Sequence, residues 1–414
     1  MSLEERFRSF ATVGPGTWRG QLLLAALLPF SWCYAALGHL RRLAYNRGWL
    51  TSRSLPVPVI AVGNLAAGGT GKTPVTEWLV SRCLQQGIRV AVVSRGYGGR
   101  REEDPLVVCA GQGPLVPPEQ AGDEPCLLAR RHPEAIVVVG ADRYRAGMMA
   151  VRDCGAELVI LDDGFQHRKL RRDFELVLLD ARRPFGNGHT LPAGYLRETP
   201  KALNQADLVL LTRAVPATPH LYLEDVPCLR VGFRLAGHLV GLDGTILPLR
   251  QIAGRRVVAF CGIANPESFF DGLKALDVEV VAARSLGDHH AYPDSSVQEL
   301  NRLVAGADLL LTTEKDAVKL FDAGFDRPCY YLPLELDFMD GVEQLEHILD
   351  PLLSKTRNPM KLSEDLLDIL ACPQCKQSVR VDEDKEEIVC DACRLAYPVR
   401  DDIPVMLVDE ARNF

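Results

Sequence analysis

Residues 57–87 read VPVIAVGNLAAGGTGKTPVTEWLVSRCLQQG, and the succession of textures along them decides the fold class. Val57 to Val62 is a short β-branched run, glycines follow at 68, 69 and 71, and Val75, Leu79, Val80 and Leu84 then recur at helical spacing. Strand, glycine-rich turn and helix make a phosphate-binding loop, whose backbone N–H groups curve inward at a helix N-terminus. The usual eight-residue pattern opens on glycine, but Ala66 stands at that position. Gly68, Gly69 and Gly71 still supply the tight curve, so Ala66 needs only ordinary backbone dihedrals. Gly68, Gly69, Thr70, Gly71, Lys72 and Thr73 are therefore candidate nucleotide contacts. Lys72 would reach the outer phosphates of ATP, and the Thr73 hydroxyl would ligate Mg²⁺. The competing reading is a purely structural glycine turn.

Apolar runs continue downstream as IRVAVVSRG, AIVVVG, AELVILDDG, FELVLLD and ADLVLLTR, separated by helix-length stretches. Strands this apolar predict a parallel sheet covered by helices on both faces, with ligands at the strand ends. Asp162 and Asp163 end one such run. Two carboxylates there, with a phosphate loop upstream, are candidate Mg²⁺ ligands. After about residue 230 the texture changes: FRLAGHLVGLDGTILPL suggests a hairpin, and strand–helix alternation then resumes as a smaller second lobe. The cleft between lobes is a natural site for two substrates.

At 414 residues the chain is too long for one comfortable core. Its 47% apolar and 24% charged residues are ordinary globular composition. The formal charge of −7 argues against nucleic acid as the main partner. Eight scattered cysteines, from Cys33 to Cys329, suggest a reducing cytosol rather than a disulfide scaffold. The first 53 residues carry seven arginines against Glu4 and Glu5, around the apolar run GQLLLAALLPFSWCYAALGHL. Trp18, Trp32, Tyr34 and the flanking arginines suit a membrane interface. A helical hairpin broken at Pro29 and packed on the protein, or a true bilayer span, are the alternatives.

The motifs VGNLAAGGTGKTP, VSRGYG, GDEP, LDDGFQHR, RRPFGNGHTLPAGYLRE, GDHHAYPD and LTTEKDAVKL resemble, in order, those of the tetraacyldisaccharide 4'-kinase family over roughly residues 10–350. The resemblance implies ATP-dependent phosphorylation of the 4'-hydroxyl of an acylated glucosamine disaccharide 1-phosphate lipid, giving lipid IVA. The work would be done peripherally at the cytoplasmic face of a bacterial inner membrane. It further implies that Asp123 activates the sugar hydroxyl, that His289 assists it, and that Glu124, Arg143, His167 and Glu198 line the same cleft. Arg143 and Arg95 are plausible phosphate contacts, and Lys315 an edge or nucleotide contact. A carboxylate held by an imidazole suits removal of an alcohol proton. The competing reading of Asp123 is a helix cap, since GDEPCLLARR opens as a first helical turn would.

Near the C-terminus, CPQC, fourteen residues and CDAC set Cys372, Cys375, Cys390 and Cys393 as two Cys-x-x-Cys knuckles. Four thiolates match a closed structural zinc site. With LLDILACP before and LAYPVRDDIPVML after, the tail resembles the Trm112-like zinc-ribbon family, which implies a stabilising module or a docking site for a protein partner.

The fold class expected is thus α/β: a P-loop NTPase-type parallel sheet with helices on both faces, a smaller second α/β lobe and a small C-terminal zinc-ribbon domain. The divisions expected are a membrane-associated helical segment at 1–53, a P-loop kinase domain at 54–230, a second lobe at 231–351, a linker at 352–361 and the zinc-binding domain at 362–414. Two other functions stay open at this point. One is a P-loop NTPase serving assembly or chaperoning; the other is a zinc-bearing interaction protein with a vestigial nucleotide fold.

Overall fold

The computed structural model describes residues 10–12, 14–96, 105–224, 226–263, 266–274, 276–288, 290–357, 370–382, 387–400 and 403–413. The chain divides into two compact units, residues 1–345 and 346–414.

The first unit holds two sheets. The larger has nine strands: β1 (Val59–Asn64), β2 (Val90–Ser94), β3 (Leu106–Ala110), β4 (Ile136–Val139), β5 (Leu158–Asp162), β6 (Phe174–Asp180), β7 (Leu208–Thr212), β8 (Cys228–Leu235) and, far along the chain, β15 (Leu334–Phe338). Their order is β15-β8-β7-β6-β1-β5-β2-β4-β3. All neighbours pair in parallel except the two edges, where β3 runs antiparallel to β4 and β15 to β8. The apolar runs are buried on both faces. Val59, Ala61, Val93, Val138 and Leu161 pack with Ala146 and Ala150 of the helix Arg143–Arg152 on one side. Val177, Leu179, Val209 and Leu211 pack with Phe165 and Leu203 on the other. This double burial is why the strands read as continuous apolar runs rather than alternating ones.

The second sheet comprises β9 (His238–Gly241), β10 (Ile246–Pro248), β11 (Arg256–Cys261), β12 (Glu279–Ser285), β13 (Leu309–Thr313) and β14 (Cys329–Leu332), ordered β10-β9-β14-β13-β11-β12. Strands β9 and β10 form a hairpin whose turn is fastened by Asp243, which accepts from Thr245 N–H at 3.0 Å and from its hydroxyl at 2.7 Å. This sheet is inserted between β8 and β15. Residue 231, the expected start of the second lobe, lies inside β8 and therefore inside the larger sheet. The helix Val342–Arg357 takes up the first six residues of the expected linker, and 358–361 lie outside the described residues.

Trp18–Asn46 is one helix of 29 residues that runs through Pro29, not a hairpin broken there. Thr17 caps it by accepting from Gly20 N–H at 3.2 Å. Its polarity is inverted relative to a soluble helix. Only Ser31 and Arg42 are buried, while Leu22, Leu23, Phe30, Trp32, Leu37 and Leu40 are exposed, Trp32 at 65%. Ser31 is locked to Thr190 by hydroxyl and carbonyl hydrogen bonds of 2.8–2.9 Å, and Arg42 pairs with Glu198 at 3.2 Å. The helix is thus pinned to the protein by polar groups and leaves large apolar side chains exposed. Among the described residues it is the one helix long and apolar enough to cross a membrane by length and composition.

In the second unit, β16 (Arg380–Asp382), β17 (Glu387–Cys390), β18 (Leu395–Arg400), β19 (Ile403–Pro404) and β20 (Arg412–Asn413) form a small antiparallel sheet. Its core contains Cys372, Cys390, Ile388, Leu395 and the fully buried Tyr397.

Candidate active site

The loop after β1 turns at Gly68 and Gly71, both at positive φ (117° and 83°). Gly71 is the N-cap of the helix Lys72–Gln85. A side-chain carbon at Gly71 would fall 2.4 Å from the Phe233 ring, so substitution there meets both a left-handed backbone and a clash. Ala66 is buried and bridges to Leu196, and Ala67 N–H donates to the Tyr195 carbonyl at 2.8 Å. Ala66 is not among the residues of positive φ. The 195–196 backbone holds the start of the loop in place, so the position needs no glycine. Thr70 and Thr73 follow the curve; the Thr70 carbonyl accepts from the buried Thr212 hydroxyl at 2.6 Å.

Asp162 ends β5 opposite Val62, beside the start of the phosphate loop. The chain then crosses back over β1. A side chain on Gly63 would fall 2.4 Å from Phe165 Cβ, which explains the glycine in VGN. Asp163 lies between two cations, Lys72 (Nζ–Oδ1 3.4 Å) and Arg197 (Nη1–Oδ2 3.0 Å). Burial acts to raise its carboxyl, but those charges outweigh it and hold Asp163 below the usual carboxylate range. Asp162 differs. Burial first, then the negative charge of Glu124, push it up to about 6, and Lys72 offsets only part of this. Its Oδ1 is buried with no hydrogen-bond partner. A buried, unsatisfied carboxylate oxygen near a second carboxylate fits a hard divalent cation.

Asp123 and Glu124 form the first turn of the helix Asp123–Arg131. The N-cap is Gly122, and no side chain makes a cap hydrogen bond, so Asp123 is not the cap. Its Oδ2 instead meets Lys319 Nζ at 2.8 Å, while Glu124 meets Lys315 at 3.2 Å. Lys319 also donates to the His290 carbonyl at 3.0 Å. His290 Nε2 lies 2.9 Å from the Ser296 hydroxyl, and its ring stands edge-on to Tyr292. His289 lies outside the described residues.

Arg143 is buried at the start of its helix and donates to the Gly140 carbonyl at 2.8 Å. His167 is kept neutral: burial, then the Arg143 charge, bring it down to about 4, and its Nε2 has no partner. Glu198 stands apart from this group and faces the N-terminal helix through Arg42. Beside it a cavity of about 420 Å³ is lined by Tyr34, Leu37, Arg41, Arg168, Arg197 and Glu198, among others. Arg95 is exposed. Sequence reasoning gave no role to Arg197 or Lys319, although both lie in quoted motifs; only their partners in space reveal them. It also missed the buried group in which Arg131 joins Glu77 at 2.7 Å and Glu314 at 2.9 Å. Burial and mutual repulsion push Glu77 up to about 8, against the Arg131 charge.

In the second unit the sulfurs of Cys372, Cys375, Cys390 and Cys393 all lie within 4.8 Å of one another. The Cys372–Cys393 and Cys375–Cys390 separations are 4.0 and 3.6 Å. A tetrahedral zinc with Zn–S bonds of about 2.3 Å requires edges of about 3.8 Å. Burial acts to raise the Cys372 thiol, yet hydrogen bonds from the Tyr397 hydroxyl and nearby backbone N–H groups bring it down to about 6. The donor set fits zinc.

Residues 23–354 match the family described as tetraacyldisaccharide-1-P 4'-kinase, and residues 363–402 the Trm112p-like protein family. A tetraacyldisaccharide 4'-kinase of Syntrophotalea carbinolica is 46% identical over 351 residues, covering 85% of this chain and 98% of its own. One from Geobacter sulfurreducens is 44% identical, covering 80% and 94%. A crystal structure of LpxK from Aquifex aeolicus in complex with ATP superposes with a TM-score of 0.69 at 33% identity, covering 80% of this chain and 99% of that one. With these matches over most of its length, and a Trm112-like region later in the chain, this chain belongs to the tetraacyldisaccharide 4'-kinase family.

Proposed function

We propose that the protein transfers the γ-phosphoryl group of ATP to the 4'-hydroxyl of tetraacyldisaccharide 1-phosphate, giving lipid IVA and ADP, with Asp123 as the base. The observation that carries this reading is the Asp123 carboxylate, which is spared from capping its own helix and sits half-buried at the GDEP–TEKDAVK contact. An alcohol nucleophile needs such a group to take its proton. His289 assists Asp123, and Lys72 meets negative charge developing on the transferring group. Gly68, Gly69, Thr70 and Gly71 cradle the phosphates. Thr73, Asp162 and Asp163 are the candidate residues for Mg²⁺, with the unsatisfied Asp162 oxygen favouring direct contact. When bound, Mg²⁺ supplies charge neutralisation at the phosphates.

On the acceptor side, Glu124, Arg143 and His167 line the sugar end. Glu198 and the arginine-rich cavity take the 1-phosphate end, where a bidentate guanidinium suits the anion. That cavity is continuous with the N-terminal helix, whose exposed apolar side supports peripheral docking on the cytoplasmic face of an inner membrane. The acceptor's acyl chains then stay in lipid while its headgroup reaches the catalytic end of the sheet.

The test offers acylated disaccharide 1-phosphate and Mg-ATP in mixed micelles. ADP and a 4'-phosphorylated product should form together, with little ADP when the acceptor is omitted. Acceptor-independent ADP formation would favour an assembly NTPase instead, and nucleotide binding without turnover a vestigial site.

The tail's four thiolates are read as a structural zinc site, in a module that stabilises the chain or docks a protein partner. Native mass measurement should find one zinc per chain, and Cys390→Ser should remove it and make the tail protease-sensitive. A chain purified from zinc-replete cells without bound metal would sink this assignment.

A further inference from the structure

We propose that Lys319 is a positioning residue that holds the Asp123 carboxylate and the His290 backbone in register, so that the base is set only when the second sheet is seated on the helix Asp123–Arg131. The proposal rests on the reading of Asp123 as base. Lys319 is the junction of three separate pieces of chain. Its ammonium lies 2.8 Å from Asp123 Oδ2, donates to the His290 carbonyl at 3.0 Å, and follows the short helix Glu314–Ala317. Both side chains of the pair are largely buried, at 10% and 15% exposure.

Burial on that scale argues against a merely structural bridge. Removing two charges from water costs about what their attraction returns, so a buried pair contributes little net stability. What it does fix is geometry. The rest of the contact already supplies adhesion: Lys315 meets Glu124 at 3.2 Å, Arg131 meets Glu314 at 2.9 Å, and the Arg130 guanidinium lies 4.0 Å from the centre of the Phe321 ring. Lys319 is the member of this set that touches the proposed base itself. Its second hydrogen bond, to the His290 carbonyl, ties the base to that backbone. A carboxylate that must meet a hydroxyl proton within hydrogen-bond reach is sensitive to such placement, since a misplacement of about 1 Å can cost on the order of 10²-fold in rate.

The experiment uses the full-length enzyme with acylated disaccharide 1-phosphate and Mg-ATP. Lys319→Met should lower kcat by about 30- to 100-fold while the KM for ATP stays within about twofold. Lys319→Arg, which keeps the charge and both donor contacts, should recover most of kcat. In an Asp123→Asn background, Lys319→Met should cost less than about threefold more, because the group it positions is already gone. Thermal melts with and without ATP identify a variant that fails to fold, and Lys319→Gln then replaces Lys319→Met. Unchanged or increased kcat in Lys319→Met overturns the proposal, as does a full multiplicative loss in the double variant. Undiminished turnover in Asp123→Asn alone rejects the base assignment instead, so the two failures are distinguishable.

Discussion

Asp123→Asn should lower kcat on the order of 10³-fold while leaving ATP affinity within a few-fold. The substitution preserves size and removes the carboxylate's charge together with its capacity to accept a proton. The start of its own helix does not depend on it, because Gly122 is the N-cap and no side-chain cap bond is lost. The variant does leave the half-buried Lys319 beside a neutral amide. A modest fall in thermal stability is therefore expected alongside the kinetic loss. Acceptor-dependent product formation under single-turnover conditions, paired with a nucleotide titration, makes the check. If turnover and nucleotide affinity fell together, Asp123 would be supporting the loop and not the hydroxyl.

The phosphate loop was legible because its physics is local. A buried strand, two left-handed glycines and a helix N-terminus occupy neighbouring residues, and even Ala66 was readable as tolerable. The parallel sheet followed from the continuous apolar runs, which two-sided burial explains. Less legible was anything that depends on which strands meet. Strand β15 pairs with β8 across a hundred residues of chain, which puts part of the expected second lobe into the first sheet. Lys319 stood in a quoted motif without a role, because its partner Asp123 lies 196 positions away on another lobe. The cap reading of Asp123 failed for a subtler reason: Gly122 satisfies the helix start without a side chain. In the N-terminal segment, composition identified an apolar, arginine-flanked run that the structure makes a helix with exposed apolar side chains. Composition does not show that a helix will run through a proline when Ser31 and Arg42 give it two buried polar anchors.

Asp162→Asn should make the protein more heat-stable without nucleotide and, at the same time, less active by about 10²-fold with Mg-ATP. Asp162 is pushed up to about 6, from burial first and the Glu124 charge second. For an acid whose folded value is raised, the stabilising contribution is complete below the unfolded value and is lost as pH rises through the folded one. The melting advantage of the asparagine variant should accordingly be small below the ordinary carboxylate value of 3.8, grow as pH rises toward about 6, and level off above it. Asp163→Asn should behave oppositely. Its carboxyl is held low by Lys72 and Arg197 despite burial, so its contribution is present above the unfolded value and lost as pH falls through the folded one. Removing it should therefore lower the melting temperature at neutral pH and leave Lys72 without that partner. Mg²⁺ titrations of the two variants then separate the roles. An Asp162→Asn enzyme that needs far more Mg²⁺ for half-maximal turnover supports direct contact through Asp162. The same requirement in Asp163→Asn, with Asp162→Asn unaffected, would transfer the contact to Asp163.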